Sequence, residues 1–218
     1  MPPTTDESAP ITPQNLSFFG KIVYLKTWSK SVEKFVLWLP PWVTANRVTV
    51  FRAALVVPIW LALGARSWLW AIGLFAIATA LDAVDGFISH VRRTHTALGA
   101  FLDPLADKVI ICGTLFALPN RPLWLSVAAY LTLAGAAAIT GMRILKIARG
   151  AKAGRPVSVR SMAATEAGKY KMHVETASVV CLLMGAAVGL AWLTVAGTVL
   201  LWAAFPLACL SFFSQLAE

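Results

Sequence analysis

Apolar residues run in long blocks along this 218-residue chain, each block closed by a short polar turn. A helix needs about 20 residues to cross a hydrocarbon layer about 30 Å thick. Six blocks reach that length: 46–65, 68–91, 97–118, 122–146, 172–190 and 192–214. The pattern predicts an all-α polytopic membrane protein with six transmembrane helices. Ahead of them, Phe18–Leu39 distributes Lys21, Lys26, Lys30 and Lys34 among aromatic and aliphatic residues, as a helix lying in the headgroup region does, and Pro40-Pro41 ends it. Residues 1–17 are polar and Pro-rich with no basic stretch before an apolar run, which predicts a disordered lead and not a signal peptide. The predicted organisation is a lead over 1–17, a juxtamembrane amphipathic helix over 18–39 and one membrane domain over 40–218.

Composition agrees with the pattern. Hydrophobic residues make up 58% of the chain and charged residues 13%, against about 25% charged in soluble domains. With a mean hydropathy of +0.72 there is too little polar surface to cover a globule in water. Cys112, Cys181 and Cys209 all stand in apolar runs without paired spacing, so they predict packing residues and neither a disulfide framework nor a metal knuckle. Charge gives the orientation. The loops near 66, 120 and 191 hold only Arg66 and Arg121 of the 19 lysines and arginines, and the positive-inside rule then places both termini in the cytoplasm.

Against this background, the stretch from Leu81 to Val109 holds four of the ten acidic residues: Asp82, Asp85, Asp103 and Asp107. A carboxylate in hydrocarbon costs about 2.5–3.5 kcal/mol on insertion scales and needs a function or a partner. Asp82 and Asp85 are three apart and Asp103 and Asp107 four apart, so each pair shares one helical face. Arg92–Thr96 offers a turn between the two helices, letting the pairs face each other. Four converging carboxylates form a hard-oxygen cage suited to Mg²⁺ or Mn²⁺ and wide enough for two ions. A proton or cation pathway and a set of salt bridges to Arg92, Arg93 and Lys108 are the alternatives, but salt bridges alone do not explain paired spacing with a glycine beside each pair. Gly86 and Gly99 allow close helix approach, room for a ligand, or both.

The order Asp82-x2-Asp85-Gly86-x2-Ser89-His90-x8-Gly99-x3-Asp103-x3-Asp107 resembles the signature of the CDP-alcohol phosphotransferases, D-x2-D-G-x2-A-R-x8-G-x3-D-x3-D. The four aspartates and both glycines fall in register. Ser89-His90 replaces the usual Ala-Arg pair, whose arginine is expected to touch the CDP moiety, and Arg92 and Arg93 are the nearby candidates to replace it. The stretch "TANRVTVFR" resembles the family's N-x-x-T-x-x-R opening of the first span. "LGAFLDPLADKV" and "EAGKYKM" look most like the bacterial phosphatidylglycerophosphate synthase branch.

The resemblance implies transfer of the phosphatidyl group of CDP-diacylglycerol to an alcohol with release of CMP, with glycerol 3-phosphate as the acceptor the branch suggests. It implies that Asp107 is the base, that two Mg²⁺ or Mn²⁺ ions are held by the four aspartates, and that Asn46, Thr49, Gly86, Ser89, His90, Thr96 and Gly99 line the CDP-lipid site. It also implies a homodimer in a bacterial inner membrane, with no nucleic-acid partner. An anionic acceptor needs cations near the cage. Among the basic residues of 143–171, Arg143, Arg155, Lys169 and Lys171 are the candidates, whereas His173 and Glu175 are expected to pair with each other or with headgroups. A small transporter is the competing class, but no internal repeat is evident and the acids lie at one membrane face and not at the midplane. A non-enzymatic scaffold leaves the aspartate spacing unexplained.

Overall fold

The computed structural model describes residues 34, 36–40, 42–92, 97–152 and 166–217. Most of the predicted amphipathic helix, and the lead before it, lie outside the described residues; within them Lys34 and residues 36–38 are helical. Seven further helices follow: α1 (Ala45–Ala54), α2 (Val56–Gly64), α3 (Trp68–Val91), α4 (Ala97–Ala117), α5 (Leu123–Lys152), α6 (Glu166–Val188) and α7 (Ala191–Ala217), with no strand among the described residues.

The first predicted span is α1 and α2 together, interrupted at Leu55. Pro58 stands four residues past Ala54, so it cannot donate to that carbonyl and its ring crowds it, which closes α1 there. The Leu55 N–H instead reaches both the Phe51 and Arg52 carbonyls. The connections predicted near 66, 120 and 191 are tight turns built on left-handed residues, Arg66 (φ 54), Asn120 (φ 54) and Gly189 (φ 72). At the first of them Ser67 N–H bonds to Ala62 O at 2.8 Å and Arg66 N–H to Leu63 O at 3.0 Å, the paired closure that satisfies the last carbonyls of a helix.

Among the described residues, five stretches are long and apolar enough to cross a membrane: Ala45–Gly64, Trp68–Ser89, Leu123–Met142, Tyr170–Val188 and Ala191–Phe213. The chain is therefore an integral membrane protein. The third predicted span, α4, has 21 residues and a length of about 31 Å at 1.5 Å per residue. It falls short on composition, because Asp103, Asp107 and Lys108 lie within it. What makes α4 tolerable is its surroundings: it packs against α1, α2, α5 and α6. α5, at 30 residues, continues past its apolar part, and its last ten positions carry Arg143, Lys146, Arg149 and Lys152.

A continuous apolar core joins α2 to α7 through Ile59, Phe75, Leu115, Leu125, Leu182 and Leu201. Because lipid is as apolar as these side chains, close packing supplies much of the cohesion, and small residues allow it. A Cβ on Gly197 would stand 2.9 Å from the Ser178 carbonyl and 3.1 Å from the Leu182 nitrogen, and one on Gly185 would stand 2.9 Å from the Thr194 nitrogen. The small-residue run 185–197 thus seats α7 on α6, the most extensive helix pair of the fold, and Ser178 Oγ donates across the gap to Gly197 O at 2.7 Å. Trp60 Nε1–H likewise donates to Gly113 O at 2.9 Å where α2 crosses α4.

Gly86 differs. A Cβ there meets nothing within 4 Å, so close helix approach does not account for this glycine among the described residues. Replacing Gly197 by Ala is expected to destabilise the protein by about 1–3 kcal/mol through forced helix separation, while Gly86→Ala leaves stability unchanged or slightly raised. Thermal unfolding of both variants in detergent checks the contrast.

Candidate active site

The helix carrying Asp82 and Asp85 barely touches the one carrying Asp103 and Asp107. Instead α1 packs against both α3 and α4 and stands between the two acid pairs. The two acid pairs, expected to face each other from neighbouring segments, meet through two side chains of α1, Thr49 and Arg52.

These two residues are one helical turn apart and only 1% exposed each. Thr49 Oγ1 lies 3.1 Å from Asp85 Oδ2, 3.0 Å from Asp103 Oδ1 and 3.1 Å from Ala45 O. Its single proton can serve only one of these acceptors at a time. Arg52 forms an ion pair with Asp82 through Nη1 and with Asp107 through Nη2, the latter at 3.0 Å, and Nη2 also lies 3.2 Å from the Asp103 carbonyl. Three ladders therefore match in register. Thr49 to Arg52 on α1 runs alongside Asp85 to Asp82 on α3 and Asp103 to Asp107 on α4, each step being about one turn of rise.

Burial grades across the cluster. Asp85 is 4% exposed, whereas the side chains of Asp107 and Asp82 are 17% and 33% exposed. Gly86, one turn from Asp82 on α3, is also exposed, so the cluster opens on the Asp82–Gly86 face of α3. There the missing side chain leaves open space beside the acids.

Four carboxylates and one hydroxyl, hard oxygen donors of the kind a divalent cation takes, are ranged about the Arg52 guanidinium. The excess of negative charge is what such an ion neutralises. In this arrangement Arg52 stands where a cation is wanted, and among the described residues no three of the His, Cys, Asp and Glu side chains come together as a closed metal-binding group.

The remaining predicted site residues divide into three groups. Asn46 is a half-buried α1 residue and Gly99 lies in the first turn of α4, both with interactions of their own. Ser89 Oγ donates to Gly86 O at 2.9 Å, so its hydroxyl is engaged on its own helix. Thr96, Arg155 and Arg93 lie outside the described residues, as do the side chains of His90, Arg143 and Lys169.

Arg92, one of the candidates to replace the missing signature arginine, points elsewhere. Its guanidinium donates to the carbonyls of Val43 at 2.7 Å, Leu39 at 2.6 Å, Val36 at 3.2 Å and Pro40 at 3.3 Å, tying the chain before α1 to the end of α3.

Lys171 is also engaged. It is 4% exposed and its Nζ lies 3.4 Å from Glu175 Oε1, while Lys108 of α4 forms an ion pair with Glu175 Oε2. Glu175 is fully buried, out of reach of headgroups, and meets one lysine from its own helix and one from α4.

Arg52 and Glu175 are the two residues that sequence reasoning left without a role. The signal for Arg52 was present: an arginine within an apolar span, one turn after Thr49, is costly unless something anionic meets it. Nothing comparable in the sequence pairs Glu175 with Lys108, which is 67 positions away.

An all-helical integral membrane protein with a convergent acid centre at one end of three helices is the class these features define. The chain belongs to the CDP-alcohol phosphatidyltransferase family, whose model matches residues 42–210. It is similar to the chloroplastic/mitochondrial CDP-diacylglycerol–glycerol-3-phosphate 3-phosphatidyltransferase 1 of Arabidopsis thaliana, 29% identical over 175 residues that cover 77% of this chain and 57% of the relative. A CMP-forming cardiolipin synthase of Oryza sativa is 33% identical over 116 residues, covering 51% of this chain and 35% of that one. A CDP-diacylglycerol–glycerol-3-phosphate 3-phosphatidyltransferase of Yersinia pestis is 28% identical over 189 residues, covering 82% and 92%. The match thus spans about half of the plant relatives' lengths or less, and nearly all of the Yersinia protein.

Replacing Arg52 by Met leaves Asp82 and Asp107 without their cation and is expected to lower stability by about 3–5 kcal/mol, the cost of breaking a buried pair from one side. Thr49→Val is expected to lower it by about 1–3 kcal/mol. Denaturant titration in micelles measures both.

Proposed function

We infer that this protein transfers the phosphatidyl group of CDP-diacylglycerol to glycerol 3-phosphate and releases CMP. The observation that carries this reading is the gathering of the four signature aspartates around Thr49 and Arg52 at one end of the bundle. The names of the Arabidopsis and Yersinia relatives support glycerol 3-phosphate as the acceptor.

In the reaction the acceptor hydroxyl oxygen forms a bond to the phosphatidyl phosphorus, the bond from that phosphorus to the CMP oxygen breaks, and CMP leaves with the electron pair. Asp107 takes the hydroxyl proton. Its Oδ1 is bonded to Arg52, so Oδ2 is the oxygen that accepts it, held in place by the guanidinium. Asp82, Asp85, Asp103 and Asp107 are the residues that would hold Mg²⁺ or Mn²⁺, which would neutralise the diphosphate and steady the leaving group. Thr49 keeps Asp85 and Asp103 within one hydroxyl's reach, so these two acids are oriented before substrate arrives. The cytidine diphosphate enters over Gly86, where no side chain blocks the approach. On the family resemblance, Asn46, Ser89, His90, Thr96 and Gly99 are assigned to CDP-lipid binding and Arg143, Arg155 and Lys169 to the acceptor phosphate. The charge asymmetry of the loops supports a cytoplasmic active site in an inner membrane, and two copies form the working unit.

Asp107→Asn is expected to abolish CMP release from CDP-diacylglycerol while the protein stays monodisperse in detergent; retained full activity would exclude Asp107 as the base. Presenting glycerol 3-phosphate, phosphatidylglycerol, inositol phosphate, serine and choline in turn is expected to give product with glycerol 3-phosphate alone. Turnover with phosphatidylglycerol only would make the protein a functional counterpart of the rice relative instead. EDTA is expected to stop CMP release, and added Mg²⁺ or Mn²⁺ to restore it.

A further inference from the structure

Beside the acid centre lies a second cluster of buried charge that the transfer chemistry above does not use. Glu175 of α6 is fully buried, Lys108 of α4 pairs with its Oε2, and Lys171, one turn before Glu175 on α6, stands 3.4 Å from its Oε1. A carboxylate with no solvent contact is a rigid anchor, since any movement away from its cations leaves charge unpaired in a medium that cannot solvate it.

Lys108 directly follows Asp107. On a helix the two side chains point about 100° apart, so the rotation of α4 that brings Lys108 onto Glu175 also sets the direction of Asp107. In the structure that direction is toward Arg52. The first half of α4 has weakened internal restraint, because Pro104 lies inside the helix and cannot donate to the Ala100 carbonyl. A charged tie immediately on the C-terminal side of Asp107 therefore bears directly on its rotation. α4 and α6 are in contact here, and the Lys108–Glu175 pair is the described ion pair joining them.

We propose that Glu175 is a positioning residue for the transfer reaction: by holding Lys108 it fixes the rotation of α4 and so the aim of the Asp107 carboxylate. The proposal rests on the phosphatidyltransferase reading and adds to it a residue that touches neither substrate nor metal. Lys171 completes the anchor, giving the buried carboxylate a second cation from its own helix.

The test uses the full chain in detergent with CDP-diacylglycerol and glycerol 3-phosphate, rates being taken per monodisperse protein. Glu175→Gln is expected to lower kcat at least 10-fold with KM for CDP-diacylglycerol within 2-fold. Glu175→Asp, which keeps the charge but draws it back from Lys108, is expected to fold and to show a smaller loss of kcat. Lys108→Met combined with Glu175→Gln is expected to lose no more than the worse single variant, because both remove one tie.

An unchanged kcat in Glu175→Asp together with Glu175→Gln overturns the proposal. So do losses that multiply in the double variant, or a rise in KM for glycerol 3-phosphate at constant kcat, which would make Glu175 part of acceptor binding. If the unsubstituted protein releases no CMP with any acceptor, the phosphatidyltransferase reading fails, an outcome distinct from the other three.

Discussion

Everything at the candidate site depends on the fit of one polar helix face between two acidic ones. Four carboxylates at one end of a membrane bundle repel each other and lose much of their hydration, so they remain together only if something positive or proton-donating stands among them. α1 supplies both within a single turn, the Thr49 hydroxyl for Asp85 and Asp103 and the Arg52 guanidinium for Asp82 and Asp107. The guanidinium is suited to this because its planar fork meets two carboxylates at once.

That constraint explains several features of the fold that otherwise look unrelated. The break at Leu55 divides the first span into a polar part that serves the acids and an apolar part that joins the core. Arg92 ties the chain before α1 to the end of α3, and so holds the wedge at its entry. Away from the site, Gly113, Gly185 and Gly197 let backbones approach closely, and this dense packing fixes the relative positions of helices whose acid ends must agree within a hydrogen bond's tolerance.

A second charged anchor at Glu175 fits the same logic. Buried ion pairs contribute little net stability, but breaking one from one side is costly, so they define position more than they add strength. The acid centre and the Lys108–Glu175 pair hold α4 through successive residues, and together they constrain its rotation.

Much of this was legible from the chain itself. The all-helical class, the placing of the apolar stretches, the three tight turns and the helical spacing of the aspartates follow from local rules, because periodicity and apolar length act over a few neighbours. The family also shows in a short signature, since its acids and glycines are fixed by helix geometry. Tertiary structure alone decided what stands between the acids. Local spacing put the two acid pairs on facing segments, but could not show that a helix from 30 to 55 positions earlier stands between them. Only the fold could show that Arg52 neutralises the acids while Arg92 caps backbone carbonyls, or that Glu175 meets Lys108. Cation and carboxylate attract wherever they stand in the sequence, and which pair meets is settled by packing that brings distant helices within reach.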